Sequence, residues 1–142
     1  MKSSRDQALA CKSKFNAVST SNAPAAIGPY SQAIAIGDLL YVSGQLPLSL
    51  DGKDMPADIG DQARLSLQNI EGIGRSMGCT VKDAIKLTVY MTDLSGFAKV
   101  NEVMTSMLTA PYPARATVEV AGLPKSAQIE IEAILALPTQ QE

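Results

Sequence analysis

The sequence predicts an α+β domain in which a mixed sheet of six strands carries two helices on one face. Three observations lead there. Short runs rich in β-branched residues alternate apolar and polar positions with period two, the mark of half-buried strands. Two longer stretches repeat their apolar residues at helical spacing. These segments follow one another in the order βββ-α-β-α-ββ, a pattern that lays helices against one side of a sheet. At 142 residues the chain has the length of one domain with a real core. The domain is expected over residues 17–142, behind a flexible N-terminal extension of residues 1–16.

Taken in order, the elements have these grounds. NAPAAIGPYSQ, Asn22 to Gln32, is a loop punctuated by Pro24, Gly28 and Pro29. AIAIGDLLYVSGQLP then reads as two strands about Gly37-Asp38, a hairpin turn signal, and Asp51-Gly52 makes another turn. From about Ala57 to Met77, Ile59, Ala63, Leu67, Ile70 and Ile73 recur at helical spacing, with Asp58 as N-cap and Gly78 as the stop. Gly72 and Gly74 weaken the last turns. DAIKLTVYMTDL, Asp83 to Leu94, is a strand dense in β-branched residues. Gly96 to Thr109 is the second helix, with Phe97, Val100, Val103, Met104 and Met107 as an apolar stripe read as core. YVSGQLPL and LTVYM place apolar residues on both sides of their strands, more than a one-sided sheet needs. The face away from the helices is therefore expected to pack against further copies of the chain.

The last two strands carry charge. Ala116, Val118 and Val120 alternate with Arg115, Thr117 and Glu119; Ile129 and Ile131 alternate with Gln128, Glu130 and Glu132. Gly122 and Pro124 lie between them and suggest a tight turn. The expectation is a hairpin whose polar residues share the open face, with Arg115 close to Glu130 or Glu132. Two readings of that arginine stand side by side: an ion pair across the hairpin, worth only about 0–1 kcal/mol if exposed, or an anchor for a ligand carboxylate. Glu132, one strand step further on, is read as structural.

Composition restricts the chemistry. The chain has no histidine, which excludes Ser-His-Asp and Cys-His nucleophilic machinery and any His-ligated metal. The two cysteines, Cys11 and Cys79, have no metal-ligand spacing, and no metal site is expected. A general acid or base at neutral pH must then be a carboxylate, Lys, Tyr, Cys or an oriented water. A net charge of −2 and a pI near 5.1 give no general attraction to phosphate backbones, so no nucleic-acid partner is expected. No apolar run reaches the roughly 18–20 residues of a membrane span. Residues 1–16 carry Lys2, Arg5, Lys12 and Lys14 without an apolar signal core; a cytoplasmic protein is expected, with a mitochondrial presequence left open.

APAAIGPYSQA, YVSGQLP, TDLSGFAKVNEV, YPARATVEVAGLPK and IEIEAIL, in that order, resemble the Rid/YjgF family of reactive-intermediate deaminases, RidA subgroup. The resemblance runs from about Val18 to Leu137. It implies a chorismate-mutase-like fold and a homotrimer whose sheets pack into a central barrel, with sites in clefts between subunits. It also implies hydrolysis of 2-imino acids, released by pyridoxal-phosphate enzymes, to 2-keto acids and ammonia without a cofactor. The roles it carries over are Arg115 for the substrate carboxylate and Glu130 for the attacking water. The resemblance further implies that Tyr30, Ser43, Gly44, Asn101 and Thr117 line the pocket. Thr117 stands where many members have cysteine, which removes any thiol chemistry there. The chemistry is coherent by itself: a guanidinium fork fixes a carboxylate bidentately, and a carboxylate beside the adjacent carbon orients water and takes its proton. Two other classes remain at this point, a non-catalytic carboxylate-binding sensor and a ribonuclease or translation inhibitor. The last is disfavoured by the acidic pI and the absence of a basic stripe.

Overall fold

The computed structural model describes residues 1, 3–7 and 14–139. Within the expected extension, residue 2 and residues 8–13, Cys11 among them, lie outside the described residues; residues 4–7 form one helical turn. Eight principal elements follow: β1 Phe15–Val18, β2 Ala33–Ile36, β3 Leu39–Gln45, α1 Ile59–Arg75, β4 Ala84–Met91, α2 Phe97–Met107, β5 Ala114–Glu119 and β6 Ile129–Ala136. The expected order and type of the elements hold. β1 takes in Phe15 and Asn16, two residues assigned above to the extension. Among the described residues no helix is long and apolar enough to cross a membrane.

The six strands form one mixed sheet in the order β1-β2-β3-β6-β4-β5. All neighbours are antiparallel except β4 and β5. A parallel pair needs a long crossover, and α2 supplies it. Both helices lie on one face. There Leu40, Leu87, Val89, Met91, Ile129, Ile131 and Leu135 of the sheet meet Leu67, Ile70 and Ile73 of α1 and Val100, Val103 and Met104 of α2. Asp58 caps α1 by accepting the Asp61 amide at 3.0 Å. The two glycines late in α1 are packing positions: the Asn22 carbonyl lies where a Cβ on Gly72 would stand, and Leu135 sits against Gly74.

Two expectations about the last strands are corrected. β5 and β6 are not a hairpin; β4 lies between them. The α2 crossover returns the chain beside β4 as an edge strand, so β6 has to enter the sheet elsewhere. Residues 120–128 carry it there across the end of β4, through the Val120 amide to the Met91 carbonyl and the Thr92 amide to the Gln128 carbonyl. Arg115 and Glu130 also do not share the open face. The parallel register sets Arg115 beside Leu87 and Thr117 beside Val89, both neighbours fully buried under the helices. Arg115, Thr117 and Glu119 therefore project on the helix side, at the sheet edge. Ala114, Ala116 and Val118, the apolar set of β5, project on the open face, where Val118 is exposed together with Ile36 and Tyr41.

Candidate active site

Around Arg115 the site is built from β5 and α2. Its Nη1 donates to Asn101 Oδ1 at 2.6 Å and lies 3.4 Å from Met104 Sδ. The guanidinium carbon sits 5.3 Å from the centroid of the Phe97 ring, a cation–π distance. One corner of the fork is thus held, while Nη2 and Nε have no protein partner among the described residues. Arg115, Asn101, Met104, Tyr112, Leu87 and Leu108 line a cavity of about 580 Å³. Such an arrangement has the geometry to receive a carboxylate: two donors in one plane, pre-oriented by an amide and an aromatic face. Thr117, two residues along β5, has a buried hydroxyl with no hydrogen-bond partner. A buried orphan of this kind costs stability unless something outside the chain completes it.

Glu130 belongs to a second cluster, on the open face of β6. The β3 ladder slips between Val42 and Gln45, placing Ser43 and Gly44 in a bulge beside it. A Cβ on Gly44 would stand 2.8 Å from Glu130 Cδ and Oε1, so the glycine makes the space this carboxylate occupies. Burial pushes the Glu130 carboxyl above the usual glutamate range, and the charge of Glu132 pushes in the same direction. The result is a carboxylate readier than an exposed one to accept a proton. Gly44 and Tyr30 line a cavity of about 350 Å³ with Ile27, Leu46, Leu48 and Lys125 among its walls. Ser43 spends its hydroxyl on the Ser31 carbonyl at 2.5 Å, which ties β3 to the Tyr30 loop.

Some contributors escaped the sequence reading. Phe97 was assigned to the core stripe but is 39% exposed and lies under Arg115. Gln32 is buried; its amide oxygen accepts the Thr20 amide, and its nitrogen donates to the Thr20, Ala23 and Pro24 carbonyls, which fixes the loop that carries Tyr30. Nothing in the local pattern separates that glutamine from a surface one. Tyr90 donates to Glu132 at 2.8 Å, a contact between strands far apart in sequence.

The two clusters do not meet within one chain. Arg115 and Glu130 stand on opposite faces, with β4 between their strands. Arg115 is level with Leu87 and Glu130 with Tyr90. Two strand spacings across and three residues along put their Cα atoms about 14 Å apart.

The family model described as Endoribonuclease L-PSP matches residues 20–137, most of the chain. The 2-iminobutanoate/2-iminopropanoate deaminase of Escherichia coli is 47% identical over 120 residues, covering 82% of this chain and 94% of that protein. The chain belongs to the Rid/YjgF family. Solved Rid structures agree with its fold: RidA from the Antarctic bacterium Psychrobacter sp. PAMC 21119 aligns at TM-score 0.82 with 43% identity, over 86% of this chain and 99% of that one. E. coli TdcF with bound serine aligns at TM-score 0.80 with 44% identity, over 87% and 99%. In this Rid chain, then, the residues singled out from the sequence form two separate groups. Arg115 and Asn101 are in contact, with Thr117 two residues along the strand; Gly44 touches Glu130 and shares a cavity with Tyr30.

Proposed function

We propose that the chain is a cofactor-independent imine deaminase, converting 2-iminobutanoate and 2-iminopropanoate to the 2-keto acids and ammonia. We propose further that each site is shared between neighbouring copies in a homotrimer. The observation that carries this is the separation of the clusters. In a 2-imino acid the carboxylate and the electrophilic carbon are bonded neighbours, and no such molecule reaches across about 14 Å and a β-sheet. Arg115 of one copy facing Glu130 of the next brings both groups to one substrate. The exposed apolar residues of the open face, Ile36, Tyr41 and Val118, support packing between copies.

In the shared site, Nη2 and Nε of Arg115 hold the substrate carboxylate. Asn101 and Phe97 keep the guanidinium in its plane. Glu130 accepts a proton from water as the water oxygen bonds to the imine carbon and the C=N π pair moves to nitrogen. Glu130 returns that proton to the nitrogen, completing a neutral carbinolamine. It then takes the hydroxyl proton as the C=O forms and the C–N bond breaks, and hands it to the nitrogen, which leaves as ammonia. Fixing a reactive imine beside an oriented water supplies most of what is needed.

The test is complementation. Arg115→Ala and Glu130→Gln, each assayed alone on imine generated by a dehydratase and trapped with semicarbazide, lose acceleration of keto-acid release. Mixed at random in a three-fold ring, about one site in four receives an intact arginine from one chain and an intact glutamate from the other, so about a quarter of wild-type activity returns. A mixture as dead as its components would sink the shared site. Wild-type protein that releases ammonia no faster than buffer, yet binds 2-ketobutyrate, establishes the sensor instead.

A further inference from the structure

Glu130 has neighbours that the mechanism above leaves unused. β4 and β6 pair so that Tyr90 stands opposite Glu130 and Thr88 opposite Glu132, all on the open face. The Tyr90 phenol passes diagonally to reach Glu132, donating to its Oε1 at 2.8 Å. The two carboxylates thus point from adjacent positions on the same face of one strand, and only Glu132 has a donor among the described residues. Gly44 closes the other side of Glu130. The remaining titratable groups lie further off: Lys86 of β4 and Tyr41 of β3 both pair with Ile134, four residues along. Tyr30, Asp51 and Lys125 line the cavity beyond Gly44, and Lys125 is tied to the Gly52 carbonyl at 3.1 Å.

We propose that Tyr90 and Glu132 are positioning residues for Glu130, the phenol fixing one carboxylate so that its negative charge stands beside the other. This rests on Glu130 being the base of the proposed deaminase. A carboxylate next to a fixed like charge gives up its proton less readily and takes one from water more readily. Burial alone would serve the same end at the cost of closing off the approach of water. A neighbouring charge raises basicity while leaving that side open. The direction found for Glu130, with the Glu132 charge as the second cause after burial, agrees. The Tyr90 hydroxyl is in turn held protonated, chiefly by its hydrogen bond to Glu132, so it stays a donor across the working range.

The experiment is the pH profile of kcat/KM for 2-iminopropanoate on the assembled protein, for wild type, Glu132→Gln and Tyr90→Phe. Substrate ionisation is common to all three and cancels in the comparison. Glu132→Gln removes the charge with little change of shape, and the acidic limb moves to lower pH by about half to one unit. Tyr90→Phe frees Glu132 to swing into water, and the limb moves the same way by less. A purely structural role lowers the rate equally at every pH and leaves the limb in place. An unmoved limb in both variants, or an upward shift in Glu132→Gln, overturns the proposal. If Glu130→Gln itself keeps the wild-type rate and limb, it is the assignment of the base that fails. If Glu130→Gln is inactive and the Glu132→Gln limb stays put, only this inference falls.

Discussion

Gly44→Ala isolates a single contact in the proposed chemistry. A methyl at this position would stand 2.8 Å from both Cδ and Oε1 of Glu130 and 3.1 Å from Cγ. Carbon contacts settle near 3.5 Å, so the carboxylate has to retreat by roughly 0.7 Å or more. The glutamate side chain is the mobile partner, and it yields at little cost to folding. The backbone of Gly44 is outside the left-handed region, so alanine brings no strain of its own there. What changes is the aim of the base. A misplacement of about 1 Å in a positioned group costs about a hundredfold in rate, so kcat is expected to fall by about 10- to 100-fold. KM and the affinity for 2-ketobutyrate, which the proposed site assigns to Arg115, should change by less than about threefold. The assay is single-turnover keto-acid release from freshly generated 2-iminobutanoate, alongside thermal unfolding. A kcat within twofold of wild type would refute the placement of Glu130 against Gly44 as the geometry that matters. A loss carried wholly by KM would move the defect to substrate capture.

Four further outcomes follow from the same geometry. Arg115→Lys keeps the charge but loses the planar fork; kcat/KM should drop by about a hundredfold or more while the melting temperature holds, since the side chain is exposed. Thr117→Val removes a buried hydroxyl that has no partner, and the isolated chain should be unchanged or more stable by up to about 1 kcal/mol; a loss larger than that in denaturant titration shows that the hydroxyl is satisfied. Asp58→Ala deletes the cap on Asp61 N and should cost about 1 kcal/mol without altering kcat/KM. Glu130 has a raised folded-state pKa, so the folded chain holds a proton that the unfolded chain has already lost, and stability falls as pH rises through that window. On an Arg115→Ala background, where no neighbouring guanidinium reaches it, Glu130→Gln should raise the melting temperature at pH 7, and the gain should vanish below about pH 4.

How far the sequence disclosed this arrangement differs between strands. α1 was legible because its apolar positions repeat over four turns between an N-cap aspartate and Gly78, whose φ of 80° no other residue adopts cheaply. The β2–β3 hairpin was legible because Gly37, at φ 57°, begins a two-residue turn. β5 misled for a physical reason. Alternation divides a strand into two faces but does not say which one meets the helices. Arg115 looked like a solvent residue, yet the helix side at a sheet edge has room for a guanidinium between Asn101 and Phe97. The apolar side, Ala116 and Val118, belongs to the open face. The turn also misled: GLPK suggests a tight connection, but Lys125 and Ser126 adopt left-handed backbone, φ 58° and 59°, within a longer crossing over the end of β4. Tertiary pairing decided both points, and no local signal encodes it.

The place of β4 between β5 and β6 decides what Arg115 and Glu130 can do. Had β5 and β6 formed a hairpin, Arg115 and Glu130 would have faced each other and closed into an ion pair, the arginine's fork occupied by the chain's own carboxylate. Inserting β4 between them prevents this. Each group keeps partners that hold its position without consuming its function. Asn101 takes one corner of the guanidinium and Met104 lines it; Gly44 leaves a space for the carboxylate and donates nothing to it. A glutamate pushed toward protonation and a buried Thr117 hydroxyl without a partner are each poorly satisfied in an isolated chain, while the arginine's remaining donors face solvent. Assembly that set Arg115 of one copy beside Glu130 of the next would offset the glutamate's charge, and a small anionic substrate would occupy the arginine's open donors. Binding a keto acid should therefore stabilise the assembled protein against dissociation, by about 2.7 kcal/mol per site at a hundredfold excess over Kd. Dilution monitored by light scattering with and without 2-ketobutyrate reads this directly. An assembly whose dissociation ignores the ligand in the wild type, as it must in Arg115→Ala, would mean that the substrate does not lie between subunits.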